Sequence, residues 1–283
     1  MKKSIIIVGD RRKEKTETFV SRLEPFLRRK AHVKAIDLTG QLALDKAKAD
    51  LVVVFGGDGT ILWTARRLGA NHLPAVGVNL GRLGFLAEFD ATELRKHLPA
   101  ILSGELRAHP RMMLEIGVVR GGRRIGAFSA LNDTVISRGT VSRMVVLDLF
   151  VKGDKVASFG GDGIILATST GSTAHALSAG GPIVDPALDA IIAVPLSPHS
   201  LNMRPIVIPP THIAEVEIVK KQDEMVLTID GQAHTYLREG DIIAVRSSQH
   251  RFHLVRNPSL SFYDTLRRKF NWGSFPNYAE DHH

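Results

Sequence analysis

Two hydrophobic rhythms divide this chain of 283 residues, and each permits few folds. Through the first hundred residues, short apolar runs alternate with stretches of helical period. Ser4-Ile5-Ile6-Ile7-Val8-Gly9, Leu51-Val52-Val53-Val54-Phe55 and Ala75-Val76-Gly77-Val78 are strand-sized and apolar, as strands covered on both faces are; Val33 to Leu38 is a weaker run. Residues 13–29 place Phe19, Leu23, Phe26 and Leu27 on one helical face, with Pro25 as a kink, and residues 61–68 and 91–103 also read as helical. The alternation predicts a Rossmann-like α/β domain over residues 1–106, built on a parallel sheet.

From about Arg111 the period drops to two. Val145, Leu147, Leu149 and Val151 share one face, and Ala214, Val216 and Ile218 alternate with Glu215 and Glu217. Met225 to Ile229, Ile242 to Val245 and Phe252 to Val255 continue the pattern, with turn signals at Lys152-Gly153-Asp154 and Glu239-Gly240-Asp241. This predicts an all-β antiparallel sandwich over residues 107–264, with the joint at residues 104–110. Thr265 to Phe270 is helical again.

Two glycine-rich turns carry the chemistry. Gly56-Gly57-Asp58-Gly59-Thr60 lies between an apolar strand and a helix. Glycines at such a turn let backbone N–H groups approach phosphate, and the helix N-terminus adds partial positive charge. Asp58 would repel a bare phosphate, so it reads as a proton acceptor for a hydroxyl beside that phosphate, as a group acting through a metal ion, or as a plain helix cap. Arg66 and Arg67 on the following helix either reach the phosphate donor or lie on a solvated face. The second turn is Gly160-Gly161-Asp162-Gly163, followed by an apolar strand, a hydroxyl-rich run from Thr168 to Thr173, and a helical piece from Thr173 to Ala179 that ends at Gly180-Gly181-Pro182. Ser172 or Thr173 could cap that helix. Asp162 could hold a ribose diol or be a turn residue.

Composition limits the partners. The net charge of +8 favours anionic ligands, and with aromatic residues at only 6% and no basic run interleaved with stacking side chains, nucleotides are favoured over nucleic acid. The absence of cysteine excludes disulfides and thiolate metal sites and fits a reducing compartment, and the histidines show no metal-ligand spacing. The apolar run Ile5 to Val8 is too short for a secretory leader, and no stretch approaches a membrane span, so a cytoplasmic location is expected.

These motifs together resemble the NAD kinase family. The resemblance rests on Gly56 to Thr60, Asn79-Leu80-Gly81-Arg82-Leu83-Gly84-Phe85-Leu86, Asn132-Asp133, Asp162 to Pro182, Pro198-His199-Ser200-Leu201 with Arg204-Pro205, and Asp230-Gly231-Gln232. The first motif also occurs in diacylglycerol and sphingosine kinases, with a close relative in phosphofructokinases; the stretch from Asp162 to Pro182 is the discriminating one. The resemblance implies ATP-dependent phosphorylation of the adenosine-ribose 2′-hydroxyl of NAD to give NADP, with Asp58 as proton acceptor and Mg²⁺ or another divalent cation accompanying ATP. It implies Gly56, Gly57 and Thr60 in the phosphate-donor loop, and contacts to NAD from Gly59, Asn79, Phe85, Asn132, Asp133, Arg143, Asp162, Thr170, Thr173, Ala174, His175, Ser178 and Gln232. No protein metal ligand is implied.

Two positions depart from the family pattern: Asp133 stands where glutamate is usual, and His175 where tyrosine is usual. The ending from Phe262 to Leu266 resembles the family's, implying a C-terminal helix over residues 265–283 that returns to the first domain. A homodimer or homotetramer is implied, with neighbouring subunits contributing to the site. The phosphoryl donor stays open between ATP and inorganic polyphosphate. A lipid or sugar kinase and a non-enzymatic dinucleotide-binding regulator are the competing readings.

Overall fold

The computed structural model describes residues 2–139, 144–220 and 224–273. The first half runs β1 (Ser4–Gly9), α1 (Thr16–Lys30), β2 (His32–Asp37), β3 (Leu51–Phe55), α2 (Asp58–Leu68), β4 (Ala75–Val78) and α3 (Ala91–Ser103). The strands pair in parallel in the order β2-β1-β3-β4. All residues of β1, β3 and β4 are buried because helices cover both faces. Val20, Leu23 and Leu27 of α1 and Leu94 and Leu98 of α3 pack on one face; Ile61, Leu62, Ala65 and Leu68 of α2 pack on the other. The Asp90 carboxylate caps α3 by accepting from the Thr92 and Glu93 N–H groups, and Gly104 ends it in the left-handed region.

The second half is strand-rich: β5 (Ala108–Arg120), β6 (Arg123–Ala130), β7 (Asp133–Arg138), β8 (Val145–Val151), β9 (Asp154–Gly161), β10 (Gly163–Thr168), the short α4 (His175–Ser178), β11 (Ile191–Leu196), β12 (Ile206–Ile208), β13 (Ala214–Lys220), β14 (Met225–Ile229), β15 (Ala233–Leu237) and β16 (Ile242–Val255). One antiparallel sheet runs β12-β11-β10-β7-β14-β15. Alternate side chains of β7, β10, β11 and β14 meet those of β5, β8, β13 and β16 in a dry core, which makes the sandwich. Helix α5 (Phe262–Phe270) follows, capped by Ser261 and Asp264, with Phe262 and Phe270 beside the ring of Phe85.

Four features differ from the sequence reading. The helix expected from Thr265 to residue 283 ends at Phe270, where Asn271 turns left-handed, and residues 274–283 lie outside the described ones. Ile242–Val245 and Phe252–Val255 are one long strand, carried through an irregularity between Ser247 and Arg251. Its far end joins β4 in parallel, Leu254 with Ala75 and Val255 with Val76, so one ten-stranded sheet runs through both halves. The helix expected over Thr173–Ala179 is a 3₁₀ turn, Thr170–Thr173, and then α4. Neither Ser172 nor Thr173 caps α4; the Ser172 hydroxyl instead donates to the Val184 carbonyl and accepts from its N–H. Among the described residues no helix is long and apolar enough to cross a membrane.

Candidate active site

In the order β2-β1-β3-β4 the connection from β1 leads one way and that from β3 the other. The crevice between their carboxyl ends is therefore the topological switch point, where open α/β sheets bind ligands. Asp10 to Lys15 follow β1 and Gly56 to Thr60 follow β3. The two loops meet where the Lys13 ammonium donates to the Thr60 hydroxyl at 2.9 Å. A cavity of about 640 Å³ opens there, lined by Arg12, Lys13, Gly59, Thr60, Arg66 and Gln232 among others, and a second of about 530 Å³ shares Lys13 and reaches Gly57 and Arg82. Gly56 has φ +152°, and a methyl there would overlap the Thr60 side chain. Gly57 has open space around its Cα and precedes the first turn of α2.

Asp58 begins α2 without capping it. Its Oδ2 accepts from the Phe85 N–H at 2.9 Å, and its Oδ1 from those of Leu86 and Ala87 at 3.0 Å each. Gly84 lies so close that any side chain there would overlap the carboxylate. The loop after β4 is thus folded around Asp58. Asn79 braces the same loop: its amide donates to the Phe89 carbonyl, and its Oδ1 accepts from the Gly81 N–H. The Asn79 side chain thus fixes the loop's shape, and the residue also borders a cavity behind it.

Beyond Asp58, Phe85 and Leu86 line a small pocket with Thr170, Thr173, Arg111 and Arg256. Further contacts close a ring. Gly171 packs on the Asn132 carbonyl, where no side chain would fit. The N–H groups of Leu131, Asn132 and Asp133 all donate to the fully buried Asp230 carboxylate, which the Arg66 guanidinium also reaches at 2.8 Å. Arg66 donates as well to Gln232, whose own amide donates to the Gly59 carbonyl at 2.7 Å. Gly59, Phe85, Asn132, Asp133, Thr170, Thr173 and Gln232, far apart in sequence, therefore encircle one site with Asp58 on its rim.

Within that ring Asn132 Oδ1 and Ser169 Oγ are buried without a hydrogen-bond partner among the described residues. Asp133 is buried, and desolvation together with the neighbouring Asp230 carboxylate pushes it up to about 7. Ala174 is half-buried, while His175 and Ser178 on α4 are exposed. Arg143 lies outside the described residues.

Asp162 is not brought to this ring. It precedes β10 while Thr170 follows it, and a six-residue strand spans roughly 17–20 Å. There Asp162 forms an ion pair with Arg138, close to Pro198 and His199.

Sequence reasoning missed Lys13 and Arg12, and it named Asp230 only as part of a motif, without a role. Lys13 and Arg12 sit in a basic stretch that looks like any solvated helix entry; the signal was their place directly after the first strand. Neither Arg66 nor Arg67 is solvated: Arg67 pairs with Asp37 and stacks on Trp63, as Arg66 pairs with Asp230.

Comparisons with known proteins agree with this layout. Residues 5–106 match the family model of the ATP-NAD kinase N-terminal domain, and residues 131–257 that of the C-terminal domain. An NAD kinase of Desulforamulus reducens is 44% identical over 223 residues, 79% of this chain and 77% of that protein. One from Geobacter metallireducens is 43% identical over 225 residues, 80% of each. Among solved structures, yeast NADH kinase complexed with NADH superimposes with TM-score 0.88 at 24% identity, covering 98% of this chain and 90% of that one. An NAD kinase from Archaeoglobus fulgidus in complex with ATP gives TM-score 0.76 at 26% identity, covering 95% and 97%.

Proposed function

This chain belongs to the NAD kinase family, and on that premise we propose that it transfers the terminal phosphoryl group of ATP to the adenosine-ribose 2′-hydroxyl of NAD, giving NADP. The observation that carries the reading is the position of Asp58. Its immediate neighbours Gly59 and Thr60 line the basic cavity, and its carboxylate is bonded to Phe85 and Leu86, which line the pocket with Thr170 and Thr173. Asp58 stands at the joint between a basic cavity suited to polyphosphate and the ring of Phe85, Asn132, Thr170 and Thr173.

The chemistry follows from that placement. Phosphoryl transfer through a loose transition state needs positioning and charge stabilisation more than a strong base. Oδ1 of Asp58 holds two N–H donors and Oδ2 only one, so Oδ2 retains an acceptor site for the ribose hydroxyl. Asp58 orients that hydroxyl and takes its proton as the new P–O bond forms. Lys13 holds the donor phosphates, with Arg12, itself paired to Asp10, at the edge of the cavity. Among the described residues no three histidine or carboxylate side chains gather around a metal. A divalent cation carried on the donor's phosphates would come nearest to Asp10, the carboxylate lining that cavity, which accepts from Arg12 on both oxygens. Such a cation would offset the phosphate charge that Asp58 faces. On the acceptor side, the unpartnered Asn132 Oδ1 suits an amino group of the adenine, and a neutral Asp133 can both donate and accept.

The distance of Asp162 from the ring favours an oligomer in which Asp162 of a second copy reaches the acceptor pocket. The exposed apolar side chains Met144 and Leu201 lie on its side of the sandwich.

Asp58→Asn tests the central role. General acid–base help is worth about 10²–10⁴-fold, so kcat should fall at least a hundredfold while KM for NAD changes little. Turnover within threefold of the wild type would remove Asp58 from the chemistry. Lys13→Ala separates the two sides: KM for ATP should rise about tenfold, one charge-assisted bond of about 1.5 kcal/mol, with KM for NAD unchanged.

A further inference from the structure

Behind the loop that holds Asp58 lies a cavity of about 720 Å³, larger than either basin on the donor side and within the range of small-molecule sites. It sits between α1, α3 and the segment leading into α5, and it meets the donor side at Gly81. Its floor is buried: Leu260 supplies an apolar wall, and Glu88, which also borders the small pocket beside Phe85, lies at the inner end. Its rim is cationic. Arg22, Arg95 and Arg268 come from three different helices, all exposed, and none has a hydrogen bond or ion pair among the described residues.

The acids here are already engaged. Asp90 caps α3, Glu93 accepts from the Asp90 N–H and the Asn257 amide, and Glu88 is held by Arg256 and the Asn257 N–H. Arg95 rests its guanidinium 5.6 Å from the Phe26 ring centroid, which leaves its N–H donors free. Three uncommitted guanidinium groups around one mouth match an anion with several oxygens. Glu88 Oε2, which among the described residues accepts only from the Asn257 N–H, retains a lone pair for an exocyclic amino group. An apolar wall between them matches a flat ring.

We propose that this cavity is a second nucleotide site, separate from the reacting centre, that takes an aminopurine nucleotide with its base inward near Glu88 and its phosphates at Arg22, Arg95 and Arg268. An occupant would touch Gly81 and Leu83, in the loop whose next N–H groups hold Asp58. The site is therefore placed to report on the catalytic carboxylate.

Titration calorimetry with ADP on the full chain, saturated with NAD, tests this. The wild type should bind ADP in two classes of site per chain, and Arg95→Glu combined with Arg268→Glu should weaken one class at least tenfold without lowering the unfolding temperature. Both residues are exposed, and the milder Arg95→Gln gives a smaller loss of the same class should the double variant fold poorly. A double variant that titrates like the wild type overturns the proposal. Lys13→Ala should weaken the other class. If the donor reading is wrong, Lys13→Ala leaves the titration unchanged while the arginine variant still loses its site, so the two failures are distinguishable.

Discussion

Asp58 and its three amide partners form a unit that single substitutions can take apart. Gly84 is glycine because the carboxylate occupies the space of a side chain. In Gly84→Ala the added methyl should displace Asp58, lower kcat at least tenfold and destabilise the fold by about 1–3 kcal/mol, as overpacking does; kinetics and thermal unfolding on one preparation check both. Asp133 makes a pH prediction. Its native value of about 7 lies above the usual carboxylate value of about 3.9. Between these, the native state holds a proton that the unfolded chain has released, so stability falls as pH rises from about 4 to about 7. Urea unfolding at pH 5 and pH 7.5 should show the wild type losing stability over that interval and Asp133→Asn losing less; parallel losses would contradict the assignment. At this scale the sequence announced Asp58 through its flanking glycines. It did not announce the partners at Phe85 to Ala87, because a hydrogen bond spanning nearly thirty residues leaves no local pattern.

Helices and strands place these residues, and one helix joins the two halves of the molecule. Arg66 near the end of α2 bridges Asp230 and Gln232 of the β14–β15 turn, and Asp230 in turn holds the Asn132–Asp133 backbone. Arg66→Ala should lower stability by about 1.5–3 kcal/mol, the worth of bonds to a charged group, and raise KM for both NAD and ATP, because Arg66 also lines the basic cavity; a rise confined to ATP would detach the bridge from the acceptor side. The apolar strands β1, β3 and β4 were legible because continuous apolar runs of that length suit a covered parallel sheet. The unity of β16 was not. Arg246 to Arg251 are mostly polar and break the alternation, and an irregularity in a ladder carries the strand on without any periodic signal. The helix after Thr173 was overread because Ser172, whose residue type suits a cap, is bonded instead to Val184.

The whole molecule is one continuous sheet with a second sheet folded onto its strand-rich half, and the site lies where the parallel strands end against that sandwich. The separation of Asp162 from Thr170 makes a test of assembly possible. Asp58→Asn and Asp162→Ala should each be nearly inactive alone. Mixed and allowed to exchange subunits as dimers, they should recover about a quarter of wild-type activity, because half the molecules are hybrids with one intact site in two. No recovery after verified exchange would place Asp162 outside a shared site. The most direct measurement of the central claim is product formation by the purified full chain with NAD, ATP and Mg²⁺, read by a dehydrogenase that accepts NADP and not NAD, with polyphosphate replacing ATP in a parallel arm. The expected result is NADP in equal amount to ADP released, abolished in Asp58→Asn. No NADP with either donor, from folded protein that binds NAD, would contradict the account.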